Sequence, residues 1–160
     1  MKIAFRGEAL SELATDFIGF VMSYDGQAIV AEDYVAALGD APPFAGGLPG
    51  GRLVIAGSSA VAPVMERLIE AYSVINENAD VQMQFSDSTS GLNGVVDGIF
   101  HIGMSSRPLR DSEKLLLDYL TIAMDGIVII VNNENILQGL TKEVVGKIFK
   151  GRLTVWNEVL

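Results

Sequence analysis

The chain has 160 residues, 49% of them hydrophobic and 19% charged, with a formal net charge of −9 and no cysteine. This composition suits one good core and is too apolar for a disordered chain. It excludes disulfides, thiolate metal sites and a lipid-anchoring cysteine within these residues, and the acidic balance argues against a nucleic-acid partner, whose phosphates need a basic footprint.

In chain order, Lys2–Phe5 predicts a short strand, and Ser11 is an N-cap for a helix whose apolar stripe is Leu13, Phe17, Phe20 and Val21. Tyr24-Asp25-Gly26 breaks that pattern, and residues 27–38 resume it with Ile29, Val30, Tyr34 and Val35. Residues 39–52 are dense in Pro and Gly and read as a linker. A strand at Leu53–Ala56 leads to a helix over 60–75 with Val61, Val64, Leu68, Tyr72 and Ile75 on one face, Pro63 being tolerated in its first turn. Val81, Met83 and Phe85 alternate with Gln82 and Gln84, a half-exposed strand, and Leu92, Val95, Val96 and Ile99 repeat at helical spacing. Asp111–Tyr119 predicts a short helix with Leu115, Leu116 and Tyr119 inward. Ile127–Val131 predicts a central buried strand. Thr141 caps a last helix carrying Val144, Val145, Ile148 and Phe149, which Gly151 ends, and Trp156 reads as a packing residue. Strands alternating with helices imply an α/β fold with a mostly parallel sheet.

One arrangement occurs three times between Leu53 and Arg107: an apolar run, a loop of small hydroxyl residues, then a helical pattern or turn. The loops are Gly57-Ser58-Ser59 before Ala60, Ser86-Asp87-Ser88-Thr89-Ser90 before Gly91, and Ser105-Ser106-Arg107 before Pro108. Ser58 and Ser59 taken alone are simple helix caps. Three such loops at corresponding strand ends point instead to a small anion, since ligands of open α/β sheets bind beyond the carboxyl ends of strands. The overall acidity is no obstacle, because salt screens charges beyond roughly 8 Å. Asp87 is either a cap or an acceptor for a protonated oxyanion. Arg107 is either a surface charge or a charge-assisted contact to a tetrahedral anion.

Catalytic chemistry has little to stand on. His101 is the single histidine and falls in a predicted strand, where a structural role is simplest. Gly-x-Ser-x-Gly, Walker-type and metal-ligand spacings do not occur. No cofactor or metal is expected.

Residues 57–65, 86–91, 102–109, 124–127 and 140–151, with Trp156, resemble the phosphate-binding proteins of ABC phosphate transporters over residues 53–160, in that family's order. The resemblance implies a three-layer, periplasmic-binding-protein-like α/β lobe. It also implies phosphate ligands at Ser58, Ser59, the Ala60 amide, Ser88, Thr89 and Ser106, with Arg107 beside them. Ser106 stands where some members carry an aspartate that accepts the proton of hydrogen phosphate, and Asp87 is a substitute for it. Residues 8–38 resemble the end of such a protein, where a returning helix packs on the first lobe. The implied organisation is therefore 1–38 as those helices, 39–52 as linker, and 53–160 as the first lobe, the second-lobe anion loop lying beyond Leu160. A tandem-domain junction and a permutation both account for that order. The expected function is phosphate binding within an ABC-transporter solute-binding protein, alongside its membrane subunits. The expected location is extracellular or periplasmic, with a signal and membrane anchor preceding Met1 in a longer precursor. Binding of another tetrahedral oxyanion, or an interaction or signalling role without ligand, are the alternatives.

Overall fold

The structure, a computed structural model, describes residues 1–126, 128–137 and 139–159. They divide into two compact units, Met1–Gly126 and Ile127–Leu160. In the first, strand β1 (Lys2–Phe5) precedes helices α1 (Glu12–Val21) and α2 (Tyr24–Ala31) and the short strand β2 (Val35–Ala36). Then come β3 (Gly51–Ser58), α3 (Ala62–Ile75), β4 (Ala79–Ser86), α4 (Ser88–Val96) and β5 (Ile102–Ser105). Helix α5 (Asp111–Lys114) and strands β6 (Asp118–Thr121) and β7 (Ala123–Met124) complete the unit.

The main sheet has the order β4-β3-β5-β1-β6. Strands β4, β3 and β5 are parallel neighbours, and β1 runs antiparallel to both β5 and β6. Four strands thus share one direction and β1 alone opposes them, so the sheet is mostly parallel. Side-chain alternation along β1 defines the layers. Ile3 and Phe5 join the larger core with α1, α2 and α3, whereas Ala4 joins a smaller cluster with Leu92 and Val95 of α4, Leu109 and Leu117. Helices therefore cover both faces, giving the expected three-layer α/β unit.

The α1 stripe is fully committed, with Leu13, Phe17, Phe20 and Val21 all buried, and the Ser11 hydroxyl accepts the Ala14 N–H at 3.1 Å. Phe17 and Phe20 pack against the buried Tyr72 ring of α3 at centroid distances of 5.2 and 5.4 Å, with Phe44 closing the cluster. Phe44 belongs to residues 39–50, which carry no helix or strand yet lie against α1 and α2. Asp16 accepts the Gly47 N–H, Asp25 accepts the Phe44 N–H, and the Asn76 amide donates to the Pro49 carbonyl.

Four sequence expectations need correction. The second helix begins at Tyr24 and ends at Ala31, because the buried Ser23 hydroxyl caps it by accepting the Gly26 N–H. Val35 pairs in a strand with Met124. The helix expected over 111–119 stops at Lys114. Leu115 and Leu116 are exposed, and Tyr119 enters β6 because pairing with β1 satisfies its backbone. Ile75 and Ile99 also face solvent, each at or beyond the end of its helix. The strand expected at 127–131 is not formed by residues 128–131, and Val128 and Ile130 are exposed. Ile127 lies outside the described residues, and the place beside β5 is taken by β1.

Within the second unit, α6 (Lys142–Phe149) is capped by the Thr141 hydroxyl and ended by Gly151 at positive φ, as the sequence implies. Phe149 and Trp156 are exposed there.

Candidate anion-binding site

Strands β3, β4 and β5 end at Ser58, Ser86 and Ser105, and their register sets Ser58 opposite Ser86 and Gly57 opposite Met104. The three hydroxyl loops therefore emerge side by side. Two glycines allow the close approach that this requires. Gly57 has φ +139°, and a Cβ there would lie 2.8 Å from the Met104 nitrogen. A Cβ at Gly91 would lie 2.7 Å from the Ala56 carbonyl oxygen, so α4 sits directly on β3 with its N-terminus at the strand end.

Hydroxyls then meet across the loops. Ser58 Oγ donates to Ser106 Oγ at 3.0 Å, Ser106 Oγ lies 3.5 Å from Ser88 Oγ, and the Ser106 N–H donates to Ser88 Oγ at 3.3 Å. Ser58 and Ser88 are buried and Ser106 is exposed, so two buried hydroxyls stand behind one that faces solvent. Beneath them, the fully buried Ser105 hydroxyl donates to the Arg107 carbonyl and accepts the Arg107 N–H, fixing the turn.

The backbone donors are unevenly free. The Ser59 N–H is spent on the Ser86 carbonyl at 3.2 Å, whereas the Ala60 N–H has no acceptor among the described residues. Asp87 caps α4. Its Oδ1 accepts the Thr89 and Ser90 N–H groups at 2.7 and 3.1 Å, and its Oδ2 accepts the Ser90 hydroxyl at 2.6 Å. The Ser90 hydroxyl first, and then these amides, hold the Asp87 carboxyl below its ordinary range. That leaves the Ser88 N–H as the first-turn donor without an acceptor among the described residues.

Arg107 is held tightly. Its Nη1 and Nη2 donate to Glu113 Oε2 and Oε1 at 2.8 and 2.7 Å, Nη1 also donates to the Pro108 carbonyl, and Nη2 donates to Thr89 Oγ1 at 3.1 Å. Glu113 is 8% exposed and also accepts the Arg110 N–H at 2.6 Å. The Arg107 guanidinium, acting against desolvation, holds the Glu113 carboxyl down at about 2.

Of the residues expected from sequence, Ser58, Ser88 and Ser106 form one cluster, and Thr89 and Arg107 a second beside it. Ser59 and Ala60 are exposed on the β3 loop, with no side-chain hydrogen bond to either cluster among the described residues. Glu113 and the Gly57–Gly91 contact were not anticipated, and Ser105, part of the third hydroxyl loop, fixes the turn. Nothing in spacing marks Glu113, six residues beyond Arg107 in a polar segment. His101 has a structural role: its Nδ1 accepts the Val54 N–H at 2.8 Å as β5 begins.

Residues 42–160 match the PBP superfamily domain. The chain is 40% identical over 149 residues to the phosphate-binding protein PstS 2 of Streptococcus agalactiae, covering 92% of this chain and 51% of that one. The crystal structure of a phosphate-binding protein of a phosphate ABC transporter from Streptococcus pneumoniae superposes with a TM-score of 0.92 at 31% identity, over 99% of this chain and 62% of that one. A phosphate-bound structure of a putative phosphate ABC transporter substrate-binding protein from Clostridium perfringens matches 68% of the chain and 45% of its own, at 33% identity and a TM-score of 0.57. The chain spans about half the length of the curated relatives that it matches along most of its own length. The superfamily match starts at residue 42, but the pneumococcal structure follows the N-terminal segment as well. The chain belongs to the PBP superfamily.

Proposed function

We propose that Met1–Gly126 carries one wall of a phosphate site, in a solute-binding protein that works outside the cytoplasm with the membrane subunits of an ABC transporter. The observation that carries this reading is the convergence of the Ser58, Ser88, Ser106 and Thr89 hydroxyls with the Ala60 and Ser88 amides at the ends of adjacent parallel strands. Such an array is dominated by donors and suits an oxyanion. The names of the relatives make phosphate the first choice. In this reading Ser59 contributes its hydroxyl, Ser58 supports Ser106 from behind, and the rest of the anion's shell comes from protein beyond this lobe. Single relatives match 92% and 99% of the chain in one stretch, which supports residues 1–38 as part of the same domain rather than one side of a tandem junction.

Sulfate is the second oxyanion to consider, for one reason. The carboxylate within the loops, Asp87, already accepts from three donors, so less of it is free to take the proton of hydrogen phosphate. Titrating the chain with phosphate and with sulfate, followed by backbone amide NMR shifts, tests the proposal. Saturable shifts at Ala60, Ser88 and Ser106 with phosphate are expected. Shifts scattered over the surface, or equal for chloride, would sink it.

A further inference from the structure

We propose that Glu113 is a positioning residue for anion binding, which holds Arg107 against Thr89 so that the Thr89 hydroxyl must donate toward the bound anion. This rests on the reading of the hydroxyl loops as an anion site. A guanidinium has five N–H groups. In Arg107 two go to the Glu113 carboxylate, one to the Pro108 carbonyl and one to Thr89 Oγ1, so only Nε–H is left over among the described residues. The fork that would grip a tetrahedral anion is therefore already closed on Glu113, and the charges of the pair cancel.

Arg107 acts one step removed. Thr89 Oγ1 accepts a hydrogen bond from Nη2, and a hydroxyl has a single proton of its own to donate. With the Nη2 donor on one side of the oxygen, that proton is directed away from the arginine, next to Ser88 on the first turn of α4. Glu113 is suited to the task because it is buried and its Oε2 is also held by the Arg110 N–H. Its carboxylate cannot drift, so neither can the arginine.

The test is a double-mutant cycle on the full chain, titrated with inorganic phosphate and read by amide NMR. Thr89→Val is expected to weaken binding about tenfold and Glu113→Gln about fivefold, while the double variant is no weaker than Thr89→Val alone. Thr89→Ser keeps the hydroxyl and binds within about twofold of wild type. A role of Glu113 in stability alone would instead weaken binding by the same factor in both backgrounds, and that result overturns the proposal. So does tighter binding by Glu113→Gln, which would mean that a freed Arg107 takes the anion itself. If Glu113→Gln does not fold, Arg107→Lys replaces it, because one ammonium cannot fork Glu113 and also reach Thr89. Its loss must likewise vanish in the Thr89→Val background. Absence of any phosphate response in the wild type removes the site reading and this proposal together, whereas normal wild-type binding with an unaffected Glu113→Gln removes only the latter.

Discussion

Gly91 of α4 rests on Gly57 of β3 so closely that a Cβ on Gly91 would stand 2.5 Å from the Gly57 Cα. This contact, rather than any hydroxyl, decides where the α4 N-terminus meets the strand end. A methyl group at 91 has only backbone to push against, so the helix must move off the sheet. Gly91→Ala is expected to cost about 1–3 kcal/mol of stability and to separate Ser88 from Ser106. Urea denaturation with NMR shifts at Ser88 and Ser106 checks both effects. An alanine variant with wild-type stability and unmoved shifts would show that the contact is looser than the structure has it.

Tyr72 anchors the residues 39–50 segment through a short polar chain inside the aromatic cluster. Its hydroxyl donates to Asp16 Oδ2 at 2.7 Å and accepts from Asn76, while Asp16 and Asn76 hold the Gly47 N–H and the Pro49 carbonyl. Burial first, and then Asp16, push the Tyr72 phenol up to about 12. A phenol that ionises at about 10 when unfolded and later when folded stabilises the protein fully below pH 10 and loses that contribution as the pH rises toward 12. Tyr72→Phe should cost about 1–3 kcal/mol at neutral pH by stranding Asp16 and Asn76. It should also flatten the decline in stability between pH 10 and 12. Equal alkaline slopes for the two proteins would contradict the assignment.

The N-terminal segment is integral to the first unit. β1 lies inside the sheet between β5 and β6, and Phe17 is fully buried against Tyr72. Phe17→Ala should therefore cost roughly 3–5 kcal/mol. Removing residues 1–40 should leave a chain without a cooperative thermal transition. A truncated chain with an unchanged melting temperature would contradict this packing.

What the sequence reveals about this fold follows the range of the interactions. Helix stripes such as Leu13, Phe17, Phe20 and Val21, and caps such as Ser11 and Thr141, depend on neighbours a few residues away and are legible. The run 115–121 is not. Its apolar residues fit a helix or a strand equally, and pairing with β1, more than a hundred residues earlier, settles the matter. Residues 128–131 show the same limit, since apolarity says that a run favours burial without saying what covers it. Within the site, the hydroxyl loops stand out because three copies share one pattern. Glu113 does not, because its role arises only once Arg107 folds back over α5.

Acid should weaken the fold through that pair. The Glu113 carboxyl is held at about 2 when folded and titrates near 4.3 when unfolded. Its contribution is complete above pH 4.3 and disappears as the pH falls toward 2. The stability gap between wild type and Glu113→Gln should accordingly be open at pH 6 and close by pH 2, as followed by urea midpoints. A gap of constant size would mean that Glu113 is not ionised against Arg107.

Affinity is the last expectation, and it follows from which donors face water. A phosphate held by this wall alone would meet the exposed Ser59, Ala60 and Ser106 and the half-buried Thr89, and its remaining oxygens would keep their water. Hydrogen bonds to a charged group can contribute about 1.5–3 kcal/mol each when water is kept out, but exposed ones exchange for solvent bonds with little net gain. A site with one wall should thus lose more than half of the binding energy of an enclosed one. The 160-residue chain is expected to bind phosphate on the order of millimolar, about −4 kcal/mol. In that reading Ser88→Ala should weaken binding further, since the Ser88 hydroxyl holds the Ser106 N–H, whereas Ser112→Ala, outside the loops, should leave it unchanged. Calorimetry and NMR titration read this directly. Sub-micromolar binding by a monomer of this chain would show that these loops enclose the anion by themselves, and the one-walled site would be wrong.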